Sequence, residues 1–172
     1  MSHPLAPFLD ESRRLLGAEY LPKLRIALAG VDESDLWWRP NPSCNSMGNL
    51  GLHLAGNVRQ WIVHGLGGGP DVRERAEEFA RTGGMGAPEV LARLARAVAD
   101  ADAVLARLDP GSLSESRSIQ GVATTGIAAI YHVVEHFSMH TGQILYLAKM
   151  RGNHDLGFYS VDERGRVTGT HW

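Results

Sequence analysis

Three histidines stand four residues apart late in the chain, His132, His136 and His140, and they are the side chains whose type and spacing carry most chemistry. On an α-helix a four-residue step turns the chain by about 40° and advances it one turn, so the three imidazoles share a stripe. Two imidazoles at this spacing can aim ring nitrogens at one metal ion about 2 Å away. His132 and His140 lie about 12 Å apart along the axis, too far for one ion to be shared by all three. Spacing alone therefore allows either His132 with His136 or His136 with His140 to chelate. Whichever pair it is, another element must complete the site. Random placement of the eight histidines in 172 residues gives about 0.4 pairs at this spacing. Two overlapping pairs are only a modest excess, and their chemistry is the stronger argument.

His53 is the natural third ligand, beside Leu50, Leu54 and Asn57 on the inward side of an earlier helical pattern. Standing alone it would read as a hydrogen-bonded histidine between helices. His64 shares nearly the same face but sits about 16 Å further along the axis, beyond reach of the same ion. His3, His154 and His171 fall in terminal or loop contexts and read as solvated. Glu135 adjoins His136 yet points about 100° away on the helix, so it reads as an outer or surface carboxylate rather than a general base. Asn57 and Gln143 could orient water or substrate, or simply bond between helices. His132 has three readings: alternative ligand, substrate-facing acid or base, or structural histidine. Nothing but proximity speaks for the first two. Trp37, Trp38, Trp61 and Tyr131 read as core, with pocket lining as the alternative.

These residues need elements to position them. From Pro4 to Ala29 apolar residues recur at three- and four-residue steps, which predicts a first helix kinked at Pro22. Trp37 to Ser46, with two prolines, predicts an irregular connection ending in a cap at Ser46. Leu50, Leu54, Val58, Trp61 and Ile62 predict a second helix from Met47 to Gly65, stopped by the glycine cluster. Residues 67–86 predict a long polar connection with a helical turn within Val72 to Arg81. Proline in the first turn opens a third helix at Ala87, ending before Asp109-Pro110-Gly111. Thr124 or Thr125 caps a fourth helix that closes near Gly152. The fold class expected is all-α, a four-helix bundle with a crossover connection and a short irregular C-terminal tail, in which Phe158 to Trp172 could pair around Glu163-Arg164-Gly165.

Composition narrows the function. The 172 residues carry 17 Lys plus Arg against 19 Asp plus Glu, a net charge of -2, and 44% are hydrophobic. That balance predicts one domain over 1–172 and offers no broad basic footprint for nucleic acid. No uncharged run approaches the roughly 20 residues that span a bilayer, and the first ten residues lack the pattern of a signal peptide. The expected location is the cytoplasm. One cysteine, Cys44, can form neither an internal disulfide nor a cysteine-based zinc cluster, which moves any metal site onto His and carboxylates. In its loop, with no basic neighbourhood, Cys44 reads as incidental.

His-Leu-Ala-Gly-Asn-Val-Arg-Gln-Trp-Ile at 53–62 and His-Val-Val-Glu-His-Phe-Ser-Met-His-Thr-Gly-Gln-Ile at 132–144 resemble the DinB/YfiT-like family of four-helix metalloproteins. The resemblance extends to Ser118-Ile119-Gln120-Gly121 and Leu156-Gly157-Phe158-Tyr159, and is weakest from Asp71 to Leu113. It implies a divalent metal held by one histidine of the second helix and an H-x-x-x-H pair of the last, here His53, His136 and His140. The resemblance alone selects His140 over His132. Zinc or nickel is the ion first expected, with manganese or iron as alternatives. The family includes thiol-dependent transferases, an isomerase and hydrolase-like members. The resemblance thus implies an ion that activates a low-molecular-weight thiol or water against a small electrophile. A homodimer is expected from the resemblance together with the apolar residues on more than one side of helix four, Phe137, Met139, Leu145 and Leu147, and the charge and hydropathy already described speak for no role on nucleic acid or membrane. The competing reading is a non-catalytic metal-binding dimer.

Overall fold

A computed structural model describes residues 3–152 and 155–172, and the reading of His154 lies outside the described residues. The chain is mostly helical. Helix α1 covers 6–28 as Ala6–Arg14, a π-helical turn Leu15–Tyr20 and Leu21–Leu28. The Leu21 N–H bonds the Leu16 carbonyl, five residues back, directly ahead of Pro22. Proline has no N–H to give and its ring presses on the carbonyl four residues back. The widened turn absorbs both problems, so at the kink expected at Pro22 the structure shows a change of hydrogen-bond step inside one helix.

A short helix, α2 (Glu33–Leu36), leads to α3, which covers 47–64 as Met47–Val58 and a π-helical turn Arg59–His64. Ser46 caps α3 reciprocally with Asn49, each side chain accepting the other's backbone N–H at 3.1 Å. The long connection holds α4 (Arg75–Ala80), within the span where a helical turn is expected. Helix α5 (Ala87–Leu105) opens with Pro88, and a 3-10 turn Pro110–Ser114 follows it. Strands β1 (Ser116–Ile119) and β2 (Val122–Thr125) pair antiparallel before α6 (Gly126–Gly152). The Thr125 hydroxyl accepts the Ala128 N–H at 3.2 Å, so the expected threonine cap is in place.

The C-terminal tail corrects the expectation of irregular chain. Strands β3 (Tyr159–Val161) and β4 (Val167–Thr170) pair antiparallel around a turn that Asp162 ties by accepting the Arg164 and Arg166 N–H groups, each at 2.9 Å. The hairpin is anchored by aromatic burial that short strands alone would not supply: Phe158 meets Trp172, and the Lys23 ammonium of α1 lies 3.8 Å above the Trp172 ring.

The long helices share one core. Leu24 and Leu28 of α1, Leu54 and Ile62 of α3, Val90 and Leu94 of α5, and Ile130, Phe137 and Ile144 of α6 are all buried. Both α1 and α3 pack against α5 and α6. Phe137 and Leu147, although α6 offers apolar residues on more than one side, belong to this core. The apolar residues that α6 does expose are Tyr131, Met139, Tyr146 and Met150. Among the described residues no helix is long and apolar enough to cross a membrane.

Candidate metal centre

The facing stretches of α3 and α6 decide which histidines meet. Rising numbers on α3 meet falling numbers on α6: His53 faces His136 and His140, and Asn57 faces His132. His53 Nε2 lies 3.0 Å from His136 Nε2, which in turn lies 3.1 Å from His140 Nε2. Nitrogen atoms of all three lie within 4.8 Å of one another, a grouping that could hold a metal ion.

The partners of the opposite ring nitrogens dictate where the protons sit. His53 Nδ1 is 2.9 Å from Glu78 Oε2 and 3.1 Å from Arg73 Nη2. A carboxylate only accepts, and Arg73 Nη2 already donates to Glu78 Oε2 at 2.8 Å, so the His53 proton is assigned to Nδ1. His140 Nδ1 lies 2.6 Å from Gln143 Oε1, another acceptor, which assigns its proton likewise. Both rings therefore turn a bare Nε2 lone pair toward His136 Nε2. One proton on His136 could satisfy only one of them. A cation satisfies all three nitrogens, and on this ground the residues fit a metal ion.

Glu78 and Arg73 are the parts that the sequence reading missed. Arg73 grips the carboxylate with two hydrogen bonds, at 2.7 and 2.8 Å, and its side chain is only 4% exposed. Burial works against the Glu78 carboxylate, but the bonds from Arg73 and His53 outweigh it and hold its pKa below the ordinary value. Gly56 makes room, since a Cβ there would lie 1.9 Å from Glu78 Oε1. The turn carrying Glu78 is held by buried Asn49, whose amide donates to the Glu78 and Arg81 carbonyls at 2.9 and 2.8 Å. Only the expected helical turn pointed toward this region. Glu78 sits among other charged residues in a polar connection, and nothing in that pattern says which carboxylate turns inward.

The other candidates separate cleanly. His132 accepts the Asn57 amide at Nε2, 3.2 Å away, and stacks on Trp61 at a centroid distance of 4.4 Å. It lies beside the three-nitrogen cluster, outside it. Asn57 therefore contacts His132 and none of the three clustered histidines, whereas Gln143 bonds His140. Glu135 is exposed on α6. His64 bonds the Gly69 carbonyl at 2.6 Å, and His171 lies 2.6 Å from the Ser160 hydroxyl. Cys44 is a half-buried free thiol away from the cluster, Trp37 is core with its N–H on the Met85 carbonyl, and Trp38 lies under Arg151.

Desolvation, followed by repulsion from His140, His53 and His132, drives His136 down to a pKa of about 3. Burial also lowers His140 and His132. Neutral imidazole is the form that ligates a metal. Trp61 Nε1 and Asn57 Oδ1 are buried without hydrogen-bond partners among the described residues, leaving polar atoms free beside the cluster. A cavity of about 590 Å³ lies on the far side of Glu78 and Arg73, which help to wall it, and none of the three clustered histidines lines it.

Solved structures share the fold. The fold is similar to that of a conserved protein from Enterococcus faecalis, 17% identical over 84% of this chain and 97% of that one with a TM-score of 0.68. It is also similar to two DinB-like proteins. The one from Bacillus subtilis, YjoA, is 17% identical over 87% of this chain and 97% of that one, TM-score 0.65. The one from Bacillus cereus is 14% identical over 86% and 93%, TM-score 0.66. The protein is a member of the DinB superfamily. Within it, the profile of the mycothiol-S-transferase family matches residues 13–152, and the chain belongs to that family. No curated protein matches the chain in sequence.

Proposed function

We propose that His53, His136 and His140 hold one divalent metal ion and that the protein is a metal-dependent thiol S-transferase acting on a small electrophile. The observation that carries this reading is the convergence of three Nε2 atoms, with the tautomers of His53 and His140 assigned by Glu78 and Gln143. Zinc and nickel suit a three-imidazole site best, ahead of manganese and iron. The family's description supports a thiol of the mycothiol class over water as nucleophile, which makes a hydrolase-like reaction the secondary form. The fold proposed around the site is a four-helix bundle with crossover connections, one domain over 1–172, in a cytoplasmic homodimer that uses the exposed apolar residues of α6.

An ion held by three neutral imidazoles keeps its full positive charge and favours the thiolate form of a bound thiol. In such a transfer the thiol would give its proton to solvent, and the bond from its sulfur to the electrophilic carbon would form as the leaving group departed with the bonding pair. The chain supplies orientation. Glu78 and Gln143 fix the planes of His53 and His140. Trp61 Nε1 and Asn57 Oδ1 are buried polar atoms without partners among the described residues, and neutral His132 packs between these two side chains and His136.

Metal analysis of protein purified without a histidine tag, followed by turnover assays with several small thiols and electrophiles, tests this reading. Stoichiometric metal with thiol-dependent loss of the electrophile, abolished by chelator, is expected. Metal without turnover against a broad panel favours the non-catalytic binding protein, and absence of metal overturns both.

A further inference from the structure

The turn between β1 and β2 contains an expensive residue. Ile119 and Val122 pair across a two-residue loop, Gln120-Gly121, in which both residues have positive φ, 56° and 74°. Such primed turns favour asparagine or glycine at the first position, because a longer side chain gains nothing there from the backbone. Among the described residues Gln120 is the one non-glycine residue with positive φ. Its side chain is engaged: the amide donates to Gln60 Oε1.

Gln60 is a junction. The same Oε1 accepts Arg73 Nη1 at 2.9 Å, while Gln60 Nε2 donates to Asp71 at 2.8 Å. Arg73 then clamps Glu78, and Glu78 accepts from His53. Every link is a hydrogen bond with an assigned direction, and the Arg73 end is buried. Asparagine in the turn would suit the backbone but would be one methylene shorter, and glycine would leave Gln60 without this donor. We propose that Gln120 is a positioning residue of the metal centre, and that through Gln60, Arg73 and Glu78 the hairpin turn holds His53 in its ligating orientation. The proposal rests on the reading of His53 as a metal ligand.

Gln120→Gly and Gln120→Asn separate this role from an ordinary part in hairpin stability, since both ease the left-handed backbone while removing the reach to Gln60. Two readouts on the full-length protein are needed. Hydrogen exchange of the Arg73 Nε–H, followed by NMR on metal-free protein, reports the relay itself. Zinc affinity, measured against a competing chelator, reports the metal centre. We expect both variants to keep or raise the thermal midpoint and to speed Arg73 Nε–H exchange several-fold. Zinc should bind roughly 3- to 10-fold more weakly, below the about 10- to 100-fold typical of a group bonded directly to a ligand. Unchanged exchange, or unchanged zinc affinity in variants of native stability, overturns the proposal. If the unsubstituted protein binds no zinc while the exchange response is intact, the metal reading fails, and with it the positioning role of Gln120, while the relay is supported as far as the Arg73–Glu78 clamp.

Discussion

Two successive turns of α6 carry the same i,i+4 histidine spacing and end in different surroundings. His136 and His140 meet His53 across the helix interface, with Nε2 atoms 3.0 and 3.1 Å apart along the row. One turn earlier, His132 meets Asn57 and the face of Trp61. The difference lies in α3. Where the opposite helix presents an imidazole, three nitrogens converge. Where it presents an amide and an indole, the histidine is satisfied by one hydrogen bond and a stack. A histidine pair is half of a three-nitrogen site, and the facing helix decides which half-site is completed.

The largest effects should come from the shared member of the two pairs. His136→Ala removes the central nitrogen and should abolish stoichiometric zinc binding at micromolar protein. His140→Ala should lose well over the about 100-fold upper range typical of outer-shell changes. Chelator-competition titrations of each metal-free variant measure both. Zinc retained at near-native affinity in His140→Ala would break the assignment of the completed half-site.

Glu78→Gln sharpens the comparison next. The amide can still accept from His53 Nδ1–H, but the negative charge that makes His53 a stronger donor is gone, and Arg73 is left buried without its counter-charge. Zinc affinity should fall about 10- to 100-fold. The same substitution should lower stability by about 3 kcal/mol, read from urea unfolding, because one partner of a buried ion pair has been removed. Affinity within twofold of native would show that His53 does not depend on this carboxylate.

The completed half-site should also make the metal-free protein sensitive to acid. The folded-state pKa of His136 is lowered, through burial first, from 6.5 to about 3, so between these values the unfolded chain binds the extra proton and the folded chain does not. Stability from this group is present above pH 6.5 and is lost as pH falls toward 3. His140 and His132 shift in the same direction, and Glu78, whose pKa is also lowered, loses its contribution on acidification too. Unfolding midpoints of chelated protein should therefore drop between pH 7.5 and 5. His136→Ala should flatten that slope, and an unchanged slope would argue against a buried neutral His136.

Periodicity made the helices legible because every long one buries an apolar stripe, and Ser46, Pro88 and Thr125 marked their starts with local chemistry. The spacing of His132, His136 and His140 marked a candidate half-site, but choosing between its two forms needs the facing residue, and facing is a property of how α3 crosses α6. Gln143, three residues from His140, was within reach of reasoning on one helix. Glu78 and Arg73 were not. They lie in a polar connection, 25 and 20 residues from the His53 nitrogen they surround, and their role depends on Asn49 holding the turn and on Gly56 leaving space for a carboxylate. The C-terminal hairpin was readable only as a possibility, since its stability comes from Phe158, Trp172 and Lys23, which meet only once the chain has folded back on α1.

The smallest expected effect is the one that tests the comparison most directly. His132→Ala deletes an imidazole of the same helix, at the same spacing from His136, as His140→Ala does on the other side. If the facing helix decides the site, removing His132 leaves the three converging nitrogens untouched and zinc affinity should change by less than about 10-fold, below the effect of losing a bonded outer group. What it does remove is the partner of the Asn57 amide and the ring stacked on Trp61. The Asn57 side chain, already with one buried atom unpaired, then has none of its hydrogen bonds satisfied. The cost should appear as about 1–3 kcal/mol of stability in the metal-free protein. If the proposed function holds, turnover assays should show a raised KM for the electrophile with kcat less affected, because His132 borders the cluster without belonging to it. Equal zinc losses for His132→Ala and His140→Ala would mean that helix spacing outranks the opposite face, and would move the site one turn toward the start of α6.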